Sequence, residues 1–341
     1  MQKIRILDPE NFDTSLKPSS LLNNVKHLGE FLANQKNLKY INEITMIIDF
    51  IIDHDKLMNT NKEHLQIELC ICFIQFFRII GVAREIDHVL AKYLYRFFNL
   101  ICIVISPLRR YTNLDANNNV SEAEWQNISC FDDRKNILIL MNEFDIFSRI
   151  NDSNSFQRVF NTLIKIYLPD ATSCLAKLMN NSNIINLSKR NAYLAIYDAI
   201  DLEYDEFKEK RNRSIVNFIR QLDETARSEI IQNIRGILTG IKIYSIYKKL
   251  LSILEIDPYS IISFAEFDYN NEDDQIRNIS LELAKNEFGK LNFSIEMIGK
   301  YRLMFERHSD RSPKNRIIVI KFSFDLFKKS INQSNQKNIN S

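Results

Sequence analysis

Glycine is nearly missing from this chain, with six residues in 341, against about 7% in an average protein. Glycine supplies the positive φ of tight turns and lets backbone come close to phosphate groups. So small a supply excludes a sheet of many hairpins, a dinucleotide-binding fold and a P-loop, and no GxGxxG, P-loop, GxSxG or kinase-type signature occurs. Proline is as scarce, and its positions (9, 18, 107, 169, 258 and 313) all suit helix boundaries. No apolar run reaches the roughly 20 residues of a bilayer span. The most apolar stretch, IELCICFIQFFRIIGV over 67–82, is interrupted by Glu68, Gln75 and Arg78.

Excess charge is missing too. Lys and Arg number 45 against 43 for Asp and Glu, which argues against a protein that coats nucleic acid while allowing a local basic patch. The N-terminus MQKIRILDPENFD has no apolar stretch after its basic residues, so no secretory signal is expected. Cysteines Cys70, Cys72, Cys102, Cys130 and Cys174 form an odd set. Three of them fall in apolar helices, which predicts buried, reduced thiols and an intracellular location, cytoplasmic or nuclear.

What remains is helix. Residues 63–105 hold two elements that are apolar on every side, and burial on every side places them at the centre of a packed body. Before them, Leu21, Leu22, Val25, Leu28, Phe31 and Leu32 share one helix face, and Leu38, Ile41, Ile44, Ile47, Ile48 and Ile51 share another. Thr60 with Glu63, and Ser121 with Glu124, match the capping-box pattern. Amphipathic periods follow over 133–150, 155–167 and 171–179, with a turn at 180–183. A long period from Ser188 bends near Leu202, and Gly236 and Gly240 divide the pair 225–238 and 241–254. Asp257-Pro258 reads as an N-cap with Pro at the first helical position, opening 259–267, 273–288, 293–308 and 313–331. RIIVIKFSF (316–324) is rich in β-branched residues, yet its place after Ser312-Pro313 favours helix.

The expected fold is therefore all-α, with roughly 14 helices on short connections. Pairs recur about every 40 residues, the spacing of armadillo- and HEAT-type arrays. An irregular stack of antiparallel helical hairpins, an armadillo/HEAT-like superhelix, is preferred over a compact helical globule. The expected organisation is an extended lead-in over 1–18, a helical domain over 19–331 with a possible division at the polar loop 106–131, and a disordered tail over 332–341.

Chemistry is thinly represented. The histidines His27, His54, His64, His88 and His308 form no HxxxH pair, and Cys70 and Cys72 point to different helix faces. His27 followed by His54-Asp55 resembles the all-helical HD-type metal phosphohydrolases. That resemblance implies His27, His54 and Asp55 as ligands, with His64 or His88 as extras, for metal-activated hydrolysis of a phosphate ester. The simpler reading is the polar end of a helix. No carboxylate pair stands out for acid–base work, and neither catalytic residues, a metal nor a cofactor is expected.

Basic groups occur at Arg109-Arg110 with Tyr111, at Lys208, Lys210, Arg211 and Arg213, and at Arg302, Arg307, Arg311, Lys314 and Arg316. The last group spans a helix end and the next helix start, with Tyr301 and Phe305 able to stack or make cation–π contacts. It is the candidate binding patch. In the same region SPKNRIIVIKFSFDLFKK (312–329), together with LDPENFDTSL (7–16), resembles the closing and opening of the middle domain of the large translation-initiation scaffolds. Those HEAT-type domains bind RNA helicases and RNA. The expected function is a non-enzymatic scaffold or adaptor offering a helical groove to a protein partner, with an RNA-associated adaptor and an HD-type hydrolase as alternatives and no membrane role.

Overall fold

A computed structural model describes residues 5–35, 40–80, 87–108, 130–150, 152–180, 186–201, 208–291 and 295–339, and among these there is no strand. The residues fall into two compact units, Met1–Asn233 and Ile234–Ser341.

In the first unit the helices are α1 (Pro18–Asn34), α2 (Ile41–Asp53), α3 (Asp55–Met58), α4 (Glu63–Ile80) and α5 (Asp87–Ile105). Next come α6 (Phe131–Glu143), α7 (Ser153–Leu163), α8 (Pro169–Asn180), α9 (Asn186–Asp201), α10 (Lys208–Gln221) and α11 (Glu224–Gln232). Successive helices alternate between two layers: α1, α4, α6, α8 and α10 pack in series, and α5, α7 and α9 form the second row. Such alternation is what stacked hairpins produce, each apolar face covered by the next pair.

The centre is where the composition puts it. Leu65, Ile67, Leu69, Cys70, Cys72, Phe73, Ile74, Phe76, Phe77, Ile79 and Ile80 of α4 are all buried. Phe97 of α5 sits 4.8 Å from Phe77 and 6.0 Å from Phe73, centroid to centroid. Arg78, the one cation in that apolar run, is half-buried and has a task. Its Nη2 donates to the carbonyls of Leu32 (2.9 Å), Ala33 (3.1 Å) and Gln35 (3.3 Å) at the end of α1, and its Nε donates to Gln75 Oε1 at 2.8 Å. A cation at a helix C-terminus satisfies orphan carbonyls and the negative end of the dipole together. The device recurs: Arg96 Nη1 donates to Ile52 O at the end of α2 (2.5 Å), and Lys177 Nζ to Asn142 O at the end of α6 (2.5 Å).

All five cysteines are buried thiols. Burial pushes the thiols of Cys70, Cys72, Cys102 and Cys174 upward, so they stay protonated and unreactive.

The second unit holds α12 (Ile234–Ile237), α13 (Ile241–Leu251), α14 (Pro258–Glu266), α15 (Asp274–Phe288), α16 (Ile295–Phe305) and α17 (Pro313–Ile339). Here α13, α15 and α17 make one row, with α14 and α16 in the other. Asp257 caps α14 through Ser260 N–H (2.9 Å) and Pro258 starts it, as expected. RIIVIKFSF is helical, inside α17.

Three expectations need correction. The lead-in is not extended: Arg5–Leu7 and Pro9–Phe12 are 3-10 turns, the second capped by Asp8, and Phe12 is buried. Pro18 opens α1 rather than belonging to the lead-in. The closing helix continues to Ile339, past the end expected at Ile331. Once a packed first half has nucleated a helix, each further residue adds its hydrogen bond without needing burial. The expected features at Leu38, Leu202 and Ser121 lie outside the described residues.

Candidate functional site

The residues expected to bind surround the junction of α16 and α17, and a buried polar network fixes that junction. Arg277 of α15 reaches Asp310, in the turn before α17, through Nε–Oδ2 at 2.9 Å and Nη2–Oδ1 at 3.1 Å. Its Nη1 also donates to the carbonyls of Asn271 (2.7 Å) and Glu272 (2.8 Å). Asp310 further accepts from Ser312 N–H (2.8 Å) and from Asn315 Nδ2 (3.3 Å), and Asn278 Nδ2 donates to Asn315 Oδ1 (3.0 Å). Burial alone would raise the Asp310 carboxyl; Arg277, the Ser312 amide and Asn315 outweigh it and hold the pKa below the usual carboxylate value. The same pairing raises that of Arg277.

On this rigid base the expected patch divides. Arg316 is turned inward, with Nη1 on the carbonyls of Asp310 (2.7 Å) and Arg311 (3.2 Å). Tyr301 donates its hydroxyl to Ser323 Oγ at 2.8 Å and sets its ring against Phe322 and Phe305. Arg307 is half-buried with Nε closed off from solvent. Arg302, Arg311, Lys314 and Phe305 remain exposed, Arg302 lying 3.9 Å from Glu306 and Phe305 stacked on His308. The sequence group thus contains both structural clamps and surface groups, because an arginine near a helix end serves either purpose.

The structure adds a feature beside that patch. Along α17, Ile317, Ile320, Phe324, Phe327 and Ile331 are 50%, 52%, 64%, 64% and 43% exposed. Ile318, Val319, Phe322 and Leu326 of the same helix are buried. The spacing that would have revealed two apolar stripes is visible in the sequence.

Elsewhere the expected chemistry is not assembled. His27 is exposed on α1. Asp55 pairs with Arg96 at 3.1 Å, and His64 Nδ1 lies 3.6 Å from Cys130 Sγ. Among the described residues no group of three or more His, Cys, Asp and Glu could hold a metal. The His88 side chain and the Arg109, Arg110 and Tyr111 group lie outside the described residues, and Arg211 is wholly buried while Arg213 is exposed, so the cations of the 208–213 group do not share one surface. Among the described residues no helix is long and apolar enough to cross a membrane.

A chain of the Pds5–Scc1 complex, described in connection with cohesin function, shares the fold. It superposes with a TM-score of 0.57 at 14% identity, over 94% of this chain and 51% of its own length. An engineered protein superposes with a TM-score of only 0.23 at 10% identity over 95% of this chain and 98% of its own, which carries no argument. No family model matches the sequence, and no curated protein matches it. The likeness establishes an all-α, HEAT-like stack of helical hairpins, and this chain spans about half the length of the one it resembles.

Proposed function

We propose that the protein is a non-enzymatic intracellular scaffold that presents helix faces to a protein partner. The observation that carries this reading is the exposed apolar surface of Phe305 on α16 and Phe324 and Phe327 on α17, with α17 anchored by the buried Arg277–Asp310–Asn315 network and joined to α16 by Tyr301 and Ser323. Large exposed aromatics are costly to keep in water, and contiguous exposed apolar surface marks interaction sites. Rigid backbones reduce the ordering cost of binding, so such a surface suits recognition rather than turnover. The matched fold, seen in a complex of two proteins, agrees with it.

The test is affinity capture with the full chain from nuclease-treated native extract, after chemical cross-linking. Stoichiometric recovery of a protein partner is expected. Recovery of nucleic acid alone, in untreated extract and weakened by Arg307→Glu with Arg311→Glu in a salt-dependent manner, would replace this reading with the RNA-adaptor one. Metal bound by purified protein and lost on His54→Ala would replace it with hydrolysis.

A further inference from the structure

The exposed stripe on α17 has a definite grammar. Written as a heptad, Ile317, Phe324 and Ile331 take position a and Ile320 and Phe327 take d, the seam of a coiled coil. The buried Ile318, Val319, Phe322 and Leu326 fall at b, c and f, half a turn away, so the fold uses one stripe and leaves the other uncovered. The seam from 317 to 331 spans about 21 Å at 1.5 Å per residue, four turns of a partner helix.

The flanks narrow the choice of partner. On one side Lys314, Lys321 and Lys328 repeat at every e position, all exposed, with Lys328 Nζ 5.7 Å from the centre of the Phe324 ring. The other flank carries Arg316, Ser323 and Ser330 at g, where Ser323 receives the Tyr301 hydroxyl and α16 packs. Between 313 and 331 Asp325 is the only carboxylate, set behind the lysines at b, against Lys314, Arg316, Lys321, Lys328 and Lys329. A second copy would therefore meet the seam badly. Antiparallel pairing sets lysine against lysine, and parallel pairing sets lysine against Arg316 and serines; neither supplies the opposite charge that e and g positions use to choose partners.

Resting on the scaffold reading above, we infer that the α17 seam docks an acidic amphipathic helix of another protein, apolar at a and d and carrying Glu or Asp on its flanks. The partner's apolar side chains cover Phe324 and Phe327, and its carboxylates reach the lysine row.

The test uses the full chain and a fluorescein-labelled synthetic peptide of about 16 residues, sized to the seam, with Leu at a and d and Glu at e and g. The flanking Glu residues repel one another and discourage the peptide from pairing with itself. A matched control carries Lys for Glu. The acidic peptide is expected to bind at least tenfold more tightly than the basic one, and more weakly as salt screens the lysines. Phe324→Ser with Phe327→Ser weakens it at least tenfold. Lys321→Glu with Lys328→Glu inverts the preference, a result that misfolding cannot produce. Equal or absent binding of the two peptides, or no inversion, overturns the proposal. So does light scattering that shows a wild-type dimer dispersed by Phe324→Ser, or RNA binding abolished by the lysine changes and untouched by the phenylalanine ones. A captured partner that stays bound to the Phe324→Ser, Phe327→Ser variant overturns this seam while leaving the scaffold reading intact.

Discussion

Replacing Asp310 with alanine strands the Arg277 guanidinium in the protein interior. The carboxylate accepts from Arg277 at 2.9 and 3.1 Å, from Ser312 N–H at 2.8 Å and from Asn315 Nδ2 at 3.3 Å. Both partners are buried, and Asn315 is wholly so. Removing one member of a buried ion pair leaves an uncompensated charge and costs about 3–5 kcal/mol. Urea unfolding of Asp310→Ala, read with hydrogen exchange in α15 and α17, should show a loss of that size. The double change Arg277→Met with Asp310→Leu removes both charges, and a buried pair replaced by apolar side chains is often close to neutral. Recovery will be incomplete, since Arg277 also satisfies the carbonyls of Asn271 and Glu272. The pH dependence has a definite sign. Folding lowers the Asp310 pKa, so the pair's contribution is fully present above the unfolded value of about 3.9 and is lost as pH falls through the lower, folded one. Wild type and Asp310→Ala should converge in stability over that acid range. A single variant within about 1 kcal/mol of wild type would refute the argument, given what stranding a buried charge costs, and so would a double variant less stable than Asp310→Ala alone.

Other expectations are independent of that network. Gly299 lies in the interior of α16, exposed, with nothing within 4 Å of an added Cβ, so Gly299→Ala should stabilise by about 1 kcal/mol in thermal unfolding. Gly240 has φ +62° and ψ −148° at the head of α13, a conformation closed to side chains, and Gly240→Ala should destabilise by about 1–3 kcal/mol. Arg78→Met keeps the stem's packing and removes the donor to the end of α1; a loss of about 1.5–3 kcal/mol is expected, with faster amide exchange in the last turn of α1. A thiol reagent at pH 8 should label none of the five buried cysteines in the folded chain and all of them in denaturant.

The helices were legible because their signal is local. Apolar residues on every side place α4 and α5 at the centre whatever lies far along the chain, and Ser312-Pro313 just ahead of the β-branched run 316–324 marks it as helix. The uses of polar residues were not legible, because their partners are distant in sequence. Arg78 reaches back to Leu32 and Arg277 forward to Asp310, and no short window contains both ends. The lead-in is illegible for a related reason: a 3-10 turn of four residues has too little periodicity to read, and burial of Phe12 holds it in place.

The same distinction explains the two kinds of arginine near the candidate patch. Five cations between 302 and 316 are alike in sequence, yet Arg316 closes the turn before α17 while Arg311 and Lys314 face water. A helix end offers unsatisfied carbonyls, and a nearby arginine either takes them or stays hydrated; the choice depends on where the backbone turns next. The apolar residues of α17 carry the firmer information. Residues 317–327 hold two interleaved stripes on opposite sides of one helix, and α15 and α16 pack against the side bearing Phe322 and Ser323. A helix whose apolar circumference exceeds what its neighbours cover must leave the excess in water or give it to a partner. Keeping Phe324 and Phe327 in water has no structural return, so the second stripe, rather than the arginines beside it, is where binding should be sought.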